Sequence, residues 1–374
     1  MSHTIAQSVE ADGPDSSITP YPKSLHDITP KWLSLALGER YPGVRVASVR
    51  VGDMFEGSAQ KGIIHVTYDQ PERWVGVLPT SFCIKGGFDR PHAEMGGPSY
   101  IVESRVYRDI LPALPGIRAP RVYWVGIDLV ANQGVQLLED MSNNGTVFSR
   151  AQTMSFNFDE MASFLSQLAE LHGYWWQSPR LRSEPWVDDW LREGVFRLRF
   201  ETIVEARVAQ CLTQDRGRFV VGEMRDPAKL YPRFWQMVRS FEGRPEALIH
   251  CDAHFGNTYR TAGGEVGILD WQAVRRGPPM HDVTFAIINA LTPDDRRAWE
   301  RDLISHYLAE AKARGCAHEG VDAAWRDYRK LAVYGFSAWL TTPLDYQPEE
   351  VSAASFEKFA AAVVDLDSYA AIGG

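Results

Sequence analysis

The run Leu248-Ile249-His250-Cys251-Asp252-Ala253-His254-Phe255-Gly256-Asn257, followed by Gly267-Ile268-Leu269-Asp270-Trp271, constrains this chain more than any other. An apolar strand end opens onto a polar loop that carries Asp252 and Asn257. A second apolar strand ends on Asp270. If a short hairpin joins the two strands, two carboxylates and an amide can meet at one point. Such a set suits phosphoryl transfer. One carboxylate orients an attacking hydroxyl and takes its proton, while the other carboxylate and the amide oxygen hold a hard divalent cation. Singly, each residue has a plainer reading, because Asp and Asn are common turn residues. The spacing of all three outweighs those readings.

The bulk composition bounds what surrounds this cluster. A chain of 374 residues suits two lobes better than one small domain. With 45% hydrophobic residues and 12 tryptophans it can fill a globular core. A formal net charge of -9 disfavours nucleic acid as a partner, which calls for a basic patch. Cys83, Cys211, Cys251 and Cys316 are widely separated and form no C-x-x-C pair, so a reducing cytoplasm fits better than a disulfide framework. The first residues show no basic region followed by an apolar run, so no secretory signal is visible. Val283 to Leu291, among the most apolar stretches, is too short to cross a bilayer, and no membrane partner is expected. Residues 1–20 are polar and read as a disordered tail.

Thr29-Pro30 reads as a helix cap followed by proline at the first helical position, and Trp32, Leu33, Ala36 and Leu37 recur at helical spacing. Val44 to Tyr68 fits a hairpin, and Ser81 to Lys85, Arg121 to Val125 and Gly134 to Leu138 fit three further strands. Ser99 starts a helix that carries Val102, Val106, Ile110 and Leu111. After Asp140 the texture becomes helical, beginning with Met161, Phe164, Leu165, Leu168 and Leu171. Further helices are expected over 187–212, 226–242, 281–291, 295–314, 320–341 and 350–370, with strands only beside Asp252.

With these motifs in place, the chain resembles the aminoglycoside phosphotransferase and choline-kinase-like family over roughly residues 30–340. His250-x-Asp252 with Asn257, then Asp270-Trp271, follows that family's His-Gly-Asp-x-x-x-x-Asn and Asp-Trp motifs. Gly277-Pro278-Pro279-Met280-His281-Asp282 is similar to its Gly-Pro-x-x-x-Asp loop, and Leu168-Ala169-Glu170-Leu171-His172 to its Leu-x-x-Leu-His helix end. The resemblance implies an α+β, bilobal, protein-kinase-like fold. Its small β-rich N-lobe would span 21–138, a hinge 139–142, and a larger, mostly helical C-lobe 143–374. It implies an ATP- and Mg2+-dependent kinase that phosphorylates a hydroxyl of a small molecule, with Asp252 catalytic and Asn257 and Asp270 as metal ligands. On the N-lobe, Lys85 ends an apolar strand, as the nucleotide-binding lysine does, and Glu103 takes the place of its carboxylate partner. Main-chain groups of Glu139 to Met141 would meet the adenine edge. No G-x-G-x-x-G is present, and the phosphate-covering turn falls on Gly57-Ser58-Ala59-Gln60-Lys61-Gly62. Cys251 stands where the family has glycine, so a positive φ there would strain it.

Two other classes compete. His250 and Asp252 with His281 compose an iron-binding facial triad of an oxygenase, though that chemistry favours a β-rich barrel and leaves Lys85, Asn257 and Asp270 idle. The alternative of a nucleotide-binding pseudokinase keeps the fold and drops the catalysis. His254 has no assigned role. Trp175, Trp176, Trp186 and Trp190 either line an apolar acceptor pocket or fill the core.

Overall fold

A computed structural model of the chain describes residues 21–55, 59–88, 93–191, 205–344 and 347–373. They form two compact units. One contains the described residues up to Arg108 together with Arg121–Asp140, and the other contains Asp109–Pro120 and the chain from Met141 onward. Asp109–Pro120, inside the 21–138 span expected for the first lobe, thus has its contacts with the second unit.

The first unit is built on a five-stranded antiparallel sheet in the order β1-β2-β3-β5-β4. Its strands are β1 (Val46–Phe55), β2 (Gln60–Tyr68), β3 (Ser81–Gly86), β4 (Val122–Asp128) and β5 (Gln133–Glu139). Helix α1 (Pro30–Gly38) begins as its sequence expects: the Thr29 side chain accepts from Trp32 N–H, and Pro30 occupies the first turn, where no donor is needed. Its buried Trp32, Leu33, Ala36 and Leu37 join Ile64, Phe82, Ile84, Trp124 and Leu137 in one apolar core. Helix α2 (Ala93–Arg105) lies against β5 and starts six residues before the expected Ser99. It runs through Gly96, Gly97 and Pro98, three residues of low intrinsic helix propensity.

The second unit is mostly helical: α3 (Phe158–Trp175), α4 (Pro227–Arg239), α5 (Met280–Ala290), α6 (Pro293–Ala313), α7 (Val321–Thr341), α8 (Glu349–Asp365) and α9 (Ser368–Gly373). A capping box between Asn157 and Glu160 starts α3. Helix α5 is buried along its whole length and packs on α3, α6, α7 and α8, so the polar side chains it carries, His281, Asp282, Thr284 and Asn289, are buried with it. Short strands accompany the Asp252 segment. A three-stranded sheet runs β6-β8-β9, from β6 (Val147–Phe148), β8 (Thr258–Arg260) and β9 (Val266–Ile268); β7 (Ala247–Ile249) pairs antiparallel with β10 (Arg275–Gly277). Two expectations fail here. Strands β6 and β10 lie away from the immediate Asp252 flanks, and 187–191 is not helical. The main chain there instead exchanges hydrogen bonds with Arg276: Trp190 N–H donates to its carbonyl, and its N–H donates to Asp188. Residues 192–204 of that expected helix lie outside the described residues.

Candidate active site

Strand β7 is buried at all three residues and delivers His250, Cys251 and Asp252 at its end. The strand breaks because Cys251 turns left-handed, with φ +63°. This confirms the positive φ that a glycine would satisfy more cheaply. The turned backbone points two successive amides at one carboxylate. His250 N–H donates to Asp282 Oδ2 at 2.6 Å, and Cys251 N–H donates to Oδ1 at 2.9 Å.

Asp282 sits in the first turn of α5 and is fully buried. It also accepts from His172 Nε2 at 3.1 Å and from His281 Nδ1 at 3.2 Å. Burial alone would push its carboxyl up. The hydrogen bonds and charges of His172 and His281 outweigh burial and hold it well below the usual carboxylate range. His172 is fixed in turn by the Tyr307 hydroxyl at 2.8 Å. In the sequence Asp282 is legible only as the last residue of the Gly-Pro-x-x-x-Asp-like loop. The structure makes it the anchor of the loop around Asp252, tied to the His172 end of α3.

His250 carries the second brace. Its Nε2 donates to Leu269 O at 3.0 Å, which leaves Nδ1 to accept Asp252 N–H at 3.3 Å. Burial lowers its pKa, which suits a neutral ring in this role. Trp271 packs on the same ring at 4.8 Å between centroids. Leu269 N–H donates to Asn257 O at 2.8 Å, so residue 269 ties His250 and Asn257 to the end of β9. The next residue, Asp270, turns left-handed with φ +61° and ψ +68°, a conformation that Asp tolerates better than most.

Asn257 closes the loop. Its Nδ2 donates to Asp252 O at 2.9 Å and to Asp252 Oδ2 at 3.1 Å. The amide nitrogen therefore faces Asp252, and Oδ1 points the other way. The loop thus brings Asp252 and Asn257 into contact and fastens Asp270 one residue from their common anchor at Leu269. An amide oxygen and a carboxylate form a hard-oxygen pair, the donor type that suits Mg2+ when phosphates and water complete the shell.

The facial triad does not survive this geometry. Both nitrogens of His250 are spent on the main chain, so it has no lone pair for iron. Among the described residues no three or more His, Cys, Asp and Glu side chains are grouped to hold a metal.

In the first unit, Lys85 Nζ lies 2.8 Å from both carboxylate oxygens of Glu103, with the two residues 7% and 1% exposed. Lys85 faces Gln136 in the β3–β5 register. Gln136 Nε2 donates to Ser104 Oγ at 2.6 Å, beside Glu103 on α2. Glu139 N–H donates to Arg121 O at 2.8 Å, so that hinge amide is engaged within the sheet and is not open to an adenine edge. Met141 is buried. Gly57 and Ser58 lie outside the described residues. Trp175 and Trp190 are core residues at 1% exposure each, while Trp176 and Trp186 are partly exposed.

Residues 103–319 match the model of the APH phosphotransferase enzyme family. The chain belongs to this family. It is accordingly a small-molecule phosphotransferase, and its sheet unit and helical unit give the α+β architecture expected of it. No curated protein sequence matches the chain. Solved structures similar to it include choline kinase LicA from Streptococcus pneumoniae, at 13% identity and TM-score 0.43 over 86% of this chain and 94% of that one. Another is the aminoglycoside phosphotransferase APH(3'')-Id from Streptomyces rimosus, at 17% identity and TM-score 0.43 over 78% and 93%. A third is the amicoumacin kinase hAmiN, at 14% identity and TM-score 0.48 over 85% and 88%.

Proposed function

We propose that this phosphotransferase moves the γ-phosphoryl group of ATP to a hydroxyl of a small molecule in a Mg2+-dependent reaction. The observation that carries the reading is the Asn257 Nδ2 contact with Asp252 Oδ2 at 3.1 Å. One amide then serves both halves of the site. Its nitrogen steadies the base, and its oxygen is left for the cation.

Asp252 orients the acceptor hydroxyl and takes its proton as the new O–P bond forms. The bond between the γ-phosphorus and the bridging oxygen breaks, and its electron pair leaves with ADP. Asn257 Oδ1 and the Asp270 carboxylate would hold Mg2+, which when bound would neutralise charge on the phosphate oxygens. Lys85, fixed by Glu103, grips the α- and β-phosphates. Catalysis on this scheme is positioning and charge neutralisation, with the loop amides fixed in advance by Asp282.

Asp252→Asn tests it. The variant keeps the side-chain shape and the oxygen that Asn257 meets, and it loses the base. The expected result is nucleotide affinity within about twofold of wild type by calorimetry. ADP release with a panel of alcohols should fall by at least about 100-fold. Undiminished turnover removes Asp252 from the chemistry.

A further inference from the structure

The catalytic loop carries two imidazoles, and the mechanism uses only His250. His254 has one nitrogen on the main chain: its Nδ1 accepts Gly256 N–H at 3.0 Å. An amide N–H can only donate, so Nδ1 bears the lone pair and the neutral ring keeps its proton on Nε2. That Nε2 stands 3.8 Å from Asp252 Oδ2, the oxygen Asn257 also meets. The ring has little room to swing. Trp339 and Phe285 wall it edge-on at 5.3 and 6.4 Å between centroids, and 12% of the side chain is exposed. Its main chain is fixed on both sides, with His254 N–H donating to Asp252 O at 2.8 Å and His254 O accepting Asn257 N–H at 2.9 Å.

We propose that His254 is a positioning residue for the base: its Nε2–H and the Asn257 amide together hold Asp252 Oδ2, so that the carboxylate meets the acceptor hydroxyl in one orientation. The inference rests on Asp252 being the base and adds a second residue to its control. A separation of 3.8 Å exceeds hydrogen-bond length, and a small rotation of the Asp252 side chain closes it. Catalytic hydrogen bonds without substrate are often long and tighten in the complex. A neutral N–H donor suits this task. It steadies the carboxylate without the full positive charge that would weaken it as a base.

Two variants separate the ring's two bonds. His254→Asn places an amide oxygen where Nδ1 was, which retains the Gly256 cap, but stops short of Asp252. His254→Gln gives up the cap and returns an N–H near the Nε2 position. With Mg2+–ATP and the best alcohol of a panel, we expect H254N to melt within about 3 °C of wild type. Its KM for ATP should stay within about twofold while kcat falls about 10- to 100-fold. H254Q should recover part of that loss. Wild-type kcat in H254N, or no recovery in H254Q, overturns the proposal.

A readout independent of turnover separates this inference from the wider one. In 15N spectra of the full chain labelled at histidine, His254 should show the Nε2–H tautomer, and its Nε2 resonance should move in Asp252→Asn. An Nδ1–H tautomer or an unmoved resonance overturns the positioning role even in an active enzyme. A responsive ring in a protein that phosphorylates no alcohol supports the contact and sinks the proposed reaction instead.

Discussion

Cys251 shows how one backbone angle organises the site. Its positive φ turns its own amide and that of His250 onto Asp282, and a β-carbon in the left-handed region costs about 1–2 kcal/mol. The side chain is not idle. It is 2% exposed, and burial pushes the thiol up to about 12, so it is a neutral packing group and not a nucleophile. Cys251→Gly therefore sets two opposed effects against each other. It relieves the strain and loses the contacts of a buried sulfur, each on the order of 1 kcal/mol, so urea unfolding should place it within about 1 kcal/mol of wild type. Cys251→Val keeps the strain and adds a branch at a φ that branched residues resist. It should cost at least about 2 kcal/mol. A neutral valine variant means that residue 251 is not left-handed in solution. The possibility of strain was legible from the cysteine standing in a glycine's place. The four-donor role of Asp282 was not, because its partners are as far away as residue 172 and no local pattern links them.

Among the elements, those with several turns or a clear local pattern were readable: α1 from its cap and proline, α3 from its apolar spacing, β2 from its β-branched run, and β3 and β5 from short apolar stretches. Strands β6 and β10 were not, because two or three residues carry no period and a partner strand decides their state. The placement of α2 was also hidden, since it depends on a close approach. A β-carbon at Gly134 of β5 would come within 2.3 Å of Tyr100 O and 2.4 Å of Ser104 Oγ. The Tyr100 oxygen is helix backbone and cannot rotate away. Gly134→Ala must push α2 off the sheet and carry Glu103 with it, away from Lys85. The expected outcome is a stability loss of about 1–3 kcal/mol and a rise of about tenfold in KM for ATP, with kcat at saturation less affected. Steady-state kinetics over an ATP titration checks it. An unchanged KM would show that the lysine–glutamate pair does not depend on this packing.

On the scale of the molecule, the two units should respond differently to acid. Burial holds His254 and His318 down to about 4 and lowers His250 as well, and all three belong to the helical unit. Folded, these rings stay neutral; unfolded, they take up protons below about pH 6.5. The unfolded state thus binds more protons between about pH 6.5 and 4, and stability falls as the pH drops through that window. His254 and His318 each contribute a slope of up to about 1.4 kcal/mol per pH unit there, and His250 adds to it in the same direction. Asp282 extends the trend further into acid, because its carboxyl is held low and its contribution is lost once protons reach it. Asp327, pushed up by burial, opposes the trend. In the sheet unit Tyr68, Tyr123 and Cys83 are shifted upward, first by burial, and these groups act on the alkaline side. Hydrogen exchange read by mass spectrometry, corrected for intrinsic rates, should show amides of the helical unit losing about 2–4 kcal/mol of protection between pH 7 and pH 5. The sheet unit should lose less, and His318→Gln should remove part of the difference. Equal losses in both units would mean that these imidazoles do not stay neutral in the folded protein. The neutral His250 that holds the Asp252 amide would then lose its support.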